Sequence, residues 1–188
     1  MTYIAQTLAH LAQADYTRPN PRLLDLSNLD SAEEKLFEQT WAGIKTEVRR
    51  QIIRQLVELA EDNVELNFDS IFRHCLEDSD AEVRRKAIEG LSECEDVTLI
   101  SPLIELMERD SSTEVRAAAA TSLGNFALLA ELKKIRSRYA SRIAEALLSV
   151  VGDPARPVEI RCRALESAAL LSLPEVTEAI KGAYYRGD

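Results

Sequence analysis

Apolar side chains recur three and four residues apart in separated blocks along this chain, and four of the blocks align without gaps. They open at Glu47-Val48-Arg49, Glu82-Val83-Arg84, Glu114-Val115-Arg116 and Glu159-Ile160-Arg161. Counting from the β-branched residue as zero, apolar residues return at +4, +5 and +8. These are Ile52, Ile53 and Leu56, then Ala87, Ile88 and Leu91, then Ala119, Ala120 and Leu123, and finally Ala164, Leu165 and Ala168. Such a one-sided stripe is that of a half-buried amphipathic helix. The anchors Val48, Val83, Val115 and Ile160 stand 35, 32 and 45 residues apart, which leaves room for a turn and a second helix in each interval.

The intervals carry that second helix. Phe68, Ile71, Phe72, Cys75 and Leu76 form a stripe after Asn67, and Leu99, Ile100, Leu103, Ile104 and Met107 form another after Asp96, with Pro102 tolerable in a first turn. Ser31-Ala32-Glu33-Glu34 predicts a capping box, the Ser31 oxygen taking a helix amide and Glu34 reaching back, ahead of Leu36, Phe37, Thr40, Trp41 and Ile44. Tyr139, Ile143, Leu147 and Val151 continue the pattern, and Pro174 suits the first position of a last helix bearing Val176, Ile180, Ala183 and Tyr184. The expected fold is all-α, with repeats at about 31–62, 66–93, 96–127 and 128–172 and a final helix at 174–186. Residues 1–30 do not fit the repeat. Ile4, Leu8 and Leu11 suit a short helix, Arg18-Pro19-Asn20-Pro21 forces extended chain, and Leu23, Leu24, Leu26 and Leu29 follow. The segment reads as a cap over the first repeat, with a detachable docking arm as the alternative.

An Asp-rich turn followed by Glu-Val-Arg and an Ala/Leu helix is clearest in Asp78-Ser79-Asp80-Ala81-Glu82-Val83-Arg84-Arg85-Lys86-Ala87-Ile88-Glu89-Gly90-Leu91. This stretch resembles the HEAT repeats of bacterial proteins of the phycobilisome-lyase HEAT-like type, and the resemblance covers about residues 31–188. It implies a right-handed α-solenoid with the Glu-Val-Arg helices on the concave side. Similar repeats occur in scaffolds, bilin lyases, a hydroxylase and DNA glycosylases, so the resemblance is specific to the fold and not to an activity. The chain stops at Tyr184-Tyr185-Arg186-Gly187-Asp188, where the next concave helix is due, which leaves open a longer array.

Composition narrows the function. Six Gly and six Pro in 188 residues are few for a turn-rich β protein. The longest apolar runs, such as Phe126-Ala127-Leu128-Leu129-Ala130, are too short to span a membrane. Met1-Thr2-Tyr3-Ile4-Ala5-Gln6 lacks the basic start of a secretory signal, so a cytoplasmic protein is expected. The net charge of −9 opposes general nucleic-acid binding. It is unevenly spread: residues 58–114 hold 17 Asp and Glu against five basic residues. Cys75, Cys94 and Cys162 form no Cys-x-x-Cys pair, and His10 and His74 are not followed by Glu, so neither metal nor cofactor is expected. No Gly-rich phosphate loop, Gly-x-Ser-x-Gly elbow or His-Glu-x-x-His helix points to catalysis.

Three sets of cations remain as candidates. The recurring Arg49, Arg84, Arg116 and Arg161 suit a structural ladder that binds carboxylates or carbonyls of the Asp-rich turns, such as Asp78, Asp80, Asp110 or Asp153. Arg50, Arg54, Arg85 and Lys86 fall opposite the apolar stripe, where they suit a patch for an acidic partner segment. Alternatively, Arg54 with Glu58 and Arg85 with Glu89 are i,i+4 pairs on a solvated face, which leaves Arg50 and Lys86 without so obvious a partner. Lys133, Lys134, Arg136, Arg138 and Arg142 lie in an inserted loop, residues 131–142, with Glu131 its one acid. The loop reads as a solvated surface, with a phosphate or a partner's acidic segment as the alternative, and Tyr139 alone among its residues could stack on a base. The function expected from these features is a non-catalytic protein–protein interaction scaffold. The alternative is a HEAT-like subunit or chaperone assisting an enzyme or a pigment or cofactor protein. Nucleic-acid and membrane partners are not expected, and the oligomeric state is left open.

Overall fold

The computed structural model describes residues 3–13 and 20–186, and no β-strand occurs among them. The chain divides into two compact units, Met1–Glu93 and Cys94–Asp188.

In the first unit, α1 (Tyr3–Leu11) buries Ile4, Leu8 and Leu11 and packs on α2 (Ser31–Trp41). Pro21 begins a 3₁₀ turn, Pro21–Leu26, whose Leu23 and Leu26 are buried while Leu24 stays exposed. The turn rests on α3 (Thr46–Asp62), where the Asn20 N–H donates to Gln55 Oε1 at 3.0 Å. A second tie runs further along the chain: the Asn28 N–H donates to the Asn67 carbonyl at 2.8 Å, and the Asn67 N–H to Ser27 Oγ at 3.0 Å. Arg18 and Pro19, expected in extended chain, lie outside the described residues. Next come α4 (Asp69–Cys75) and α5 (Ala81–Gly90). Within this unit α2 packs on α4 and α3 on α5, so alternate helices form two layers.

The second unit repeats the scheme. It comprises α6 (Ile100–Arg109), α7 (Thr113–Glu131), α8 (Ser137–Gly152), α9 (Val158–Ala168) and α10 (Pro174–Arg186). Here α6 and α8 pack on α7, and α9 packs on both α7 and α8. Val176 is buried and Ile180 is 39% exposed; the side chains of Ala183 and Tyr184 lie outside the described residues.

Every expected stripe position on α3, α5, α7 and α9 is buried except Val48 and Leu165, which are half-buried. In α3 it is Arg49, next to Val48, that is buried instead. Two local readings are corrected. The capping box on α2 uses Asp30 and Glu33 rather than Ser31 and Glu34: Asp30 Oδ1 accepts the Ala32 and Glu33 N–H groups at 2.8 and 2.9 Å, and Glu33 Oε2 accepts the Asp30 N–H at 3.0 Å. A carboxylate is the stronger acceptor at a positive helix end, which moves the cap back by one residue. The second correction concerns residues 131–142. Only residues 132–136 form the turn, and residues 137–142 are the first turns of α8, where Tyr139 and Ala140 are half-buried and the other four residues exposed.

Candidate functional site

The four recurring arginines share one geometry. Each sits near the start of its helix and reaches back to main-chain carbonyls at or beyond the end of the preceding helix. Arg49 donates from Nη1 to the carbonyls of Ala42 and Ile44, both at 3.4 Å, and Arg84 from Nη1 to that of Asp78 at 2.7 Å. Arg116 Nε donates to the Met107 carbonyl at 3.2 Å, and Arg161 Nε to that of Val151 at 3.1 Å. The last carbonyls of a helix have no partner within it and carry its negative dipole end, so a cation there is stabilising. Burial, with Arg156 nearby, pulls the Arg116 guanidinium below its usual pKa.

Arg49 belongs to a larger cluster around Asp78, whose side chain is 2% exposed. Asp78 Oδ2 accepts the Trp41 indole N–H at 2.7 Å and lies 3.2 Å from Arg49 Nε, while Oδ1 accepts the Asp80 N–H at 2.8 Å. Cys75 lies in the same region with no exposed surface; burial, reinforced by Asp78, pushes its thiol pKa well above the ordinary value. Such a cysteine is held as a neutral thiol and is a poor nucleophile at neutral pH.

The cations expected on the opposite face of α3 and α5 are held by carboxylates of their own unit. Arg50 makes a bidentate pair with Asp80, Nε to Oδ1 at 2.9 Å and Nη2 to Oδ2 at 2.6 Å, and lies 3.4 Å from Glu82. Arg54 pairs with Glu82 at 2.9 Å across the two helices, and Arg85 and Lys86 both reach Glu89, at 3.4 and 2.8 Å. The reading that left Arg50 and Lys86 without an obvious partner is thereby corrected. Asp80 also caps α5, accepting the Glu82 and Val83 N–H groups. Chiefly through its hydrogen bond from Arg50, its pKa is held below the usual carboxylate value, and the same contact raises that of Arg50.

The turn between α7 and α8 is arranged differently. Lys134 pairs with Glu95 at 3.1 Å, both side chains more than half exposed. Among the described residues no carboxylate forms an ion pair with Lys133, Arg136, Arg138 or Arg142, all of them exposed. Arg138 instead lies over the Tyr139 ring, 4.9 Å from its centroid, and donates from Nη2 to the Tyr139 hydroxyl at 3.0 Å. Glu131, the one acid of the stretch, accepts the Ser172 N–H at 3.0 Å, and that bond holds its pKa low.

A family model for HEAT repeats matches residues 34–124 and again residues 68–142. The two matches together span more than half of the chain. It belongs to the HEAT-repeat family. No curated protein matches it. The matched region of this HEAT-repeat protein contains the Asp78 cluster, the paired cations of α3 and α5, and the whole α7–α8 turn.

Two features of the site escaped the sequence pattern. Leu128 and Leu132 are 44% and 59% exposed, one turn apart at the end of α7, where residues 126–130 read only as an apolar run. The other is a buried polar residue seven positions after three of the four anchors: Gln55, Ser122 and Ser167 are all buried there. The alignment already placed these three in one register with Gly90, a signal that could have marked a close helix approach.

Proposed function

We propose that this HEAT-repeat protein is a non-catalytic protein-interaction module. Family membership carries the proposal, because HEAT repeats commonly mediate protein–protein interaction. The disposition of the polar residues supports it. The recurring arginines bind helix-end carbonyls, Asp78 joins three elements of the first unit, and the thiol of Cys75 is buried and neutral. The arginines and Asp78 are engaged by structural partners and the Cys75 thiol is withdrawn from solvent, which leaves none of them poised for chemistry. A right-handed solenoid and a cytoplasmic location belong to the same proposal.

The test is capture of a partner by the immobilised full chain, followed by reconstitution from two purified proteins and titration calorimetry. A saturable complex of fixed stoichiometry supports the reading. Failure of every captured candidate to reconstitute would overturn it, as would saturable binding of a free bilin or other cofactor in place of a protein. The latter outcome belongs to the lyase-type or pigment-chaperone alternative.

A further inference from the structure

The turn joining α7 and α8 combines three local choices that oppose the stability of the fold, all on exposed side chains. Arg136 is the N-cap of α8 and makes no side-chain capping bond there, and Arg138 stands in the first turn, which has no acidic residue. Both residues therefore stand at the positive end of the helix dipole, where Asp, Glu, Ser or Thr is favoured. Lys133 has φ of 58°. It closes the end of α7 in a pattern where the Lys133 N–H donates to the Ala130 carbonyl at 3.0 Å and the Lys134 N–H to the Leu129 carbonyl at 2.9 Å. That left-handed position is ordinarily glycine, because a Cβ is strained there. Local rules broken together, with no carboxylate among the described residues paired to Lys133, Arg136 or Arg138, tend to mark a functional site.

Chemistry completes the surface. The cations of α3 and α5 are neutralised by Asp80, Glu82 and Glu89. Lys133, Arg136, Arg138 and Arg142 have no ion pair to a carboxylate among the described residues, in a chain whose net charge is −9. Immediately before them stand the exposed Leu128 and Leu132, four residues apart on one face of α7. A nucleic acid would leave those leucines without a matching group and would find Tyr139 already engaged by Arg138. A peptide of mixed character satisfies both parts.

We propose that residues 128–142 form the docking surface for an acidic protein segment that also carries apolar side chains. Its carboxylates face Lys133, Arg136, Arg138 and Arg142, and its apolar residues cover Leu128 and Leu132. This rests on the interaction-module reading and gives it a place and a partner chemistry.

The experiment is fluorescence anisotropy of the full chain with a labelled synthetic peptide of Glu with Leu at helical spacing. Comparison probes are the same peptide with Lys for Glu, a Glu peptide without Leu, a single-stranded oligonucleotide and phosphatidylserine vesicles. The variants are Arg136→Glu/Arg138→Glu and Leu128→Ser/Leu132→Ser, with Arg109→Glu/Lys181→Glu as a control of equal charge change. Expected are saturable binding of the Glu/Leu peptide that is weakened by salt, and a loss of roughly tenfold or more in each of the first two variants only. Placing Glu at the start of α8 favours that helix, so an unchanged or raised melting temperature shows that lost binding is not unfolding. Equal loss in the control variant would overturn the proposal, since it makes the effect one of net charge. Tighter binding of the oligonucleotide or vesicles through the same arginines would overturn it too, as would self-association that Arg136→Glu/Arg138→Glu abolishes. A reconstituted protein complex unaffected by either turn variant would overturn this surface and leave the interaction reading intact. Failure of every candidate to reconstitute would fall on that reading itself.

Discussion

The carboxylate of Asp78 accepts the indole N–H of Trp41 at 2.7 Å across 37 positions of sequence. The bond ties the end of α2 to the turn ahead of α5, and the same oxygen lies 3.2 Å from the buried Arg49. A buried carboxylate is stable only with such partners, and removing it leaves a guanidinium without its countercharge. Asp78→Ala should therefore cost about 3–5 kcal/mol. Urea unfolding followed by Trp41 fluorescence checks this, Trp41 being the single tryptophan of the chain. A loss under about 1 kcal/mol would mean that Arg49 is satisfied by the Ala42 and Ile44 carbonyls and Ser79 Oγ without its countercharge.

Asp80 gives the acid limb of stability a sign. Its pKa is lowered in the folded protein, so the unfolded chain binds the proton more readily. The contribution is fully present above the unfolded carboxylate value of about 3.9, declines as pH falls below it, and is gone below the folded value. Glu131 and Asp153 are shifted in the same direction. Asp80→Asn should be less stable than the parent at neutral pH and should lose less stability on acidification. Parallel acid limbs for the two proteins, in urea titrations from neutral pH to about 3, would contradict the assignment.

Gly90 lies where Phe72 crosses α5. A Cβ there would sit 2.5–2.7 Å from three atoms of the ring, and Phe72 is 1% exposed with no room to retreat. Gly90→Ala should lower stability by about 1–3 kcal/mol, although Ala is the better helix former by about 1 kcal/mol. Thermal unfolding decides between the two effects, and a raised midpoint would show that the ring can move.

Helices were legible in this sequence because burial on one side writes a 3.6-residue period into it, as on α3, α5, α7 and α9. The partners of the cations were not. An i,i+4 pair such as Arg85 with Glu89 can be read from spacing, whereas Arg50 finds Asp80 and Arg54 finds Glu82 on a neighbouring helix about which local pattern is silent. Asp30-x-x-Glu33 and Ser31-x-x-Glu34 both fit a capping pattern, and only the acceptor strength of the carboxylate separates them. Residues 137–142 read as part of a basic insert because Arg138 and Arg142 continue its run of cations, although Tyr139 already fitted the stripe of α8. The exposed leucines at the end of α7 were hidden for the opposite reason, since an apolar residue in a helix pattern reads as core until its surroundings are known.

Lys133 should show stability and binding opposed. Lys133→Gly relieves the left-handed backbone at the end of α7 and should raise stability by about 0.5–1 kcal/mol. It should also weaken binding of the Glu/Leu peptide, because a cation of the surface is removed. Calorimetric melting and anisotropy on one preparation check both, and a variant that gains stability with binding unchanged would exclude Lys133 from the surface.

The location of the docking surface is tested most directly by amide chemical-shift mapping of the isotopically labelled full chain titrated with the Glu/Leu peptide. The account predicts that the largest shifts fall on residues 126–142, with little change at Arg50, Arg54, Arg85 and Lys86, whose side chains are already held by carboxylates. Saturable shifts centred on α3 and α5, with residues 126–142 unmoved, would contradict it and return the interaction surface to the paired cations.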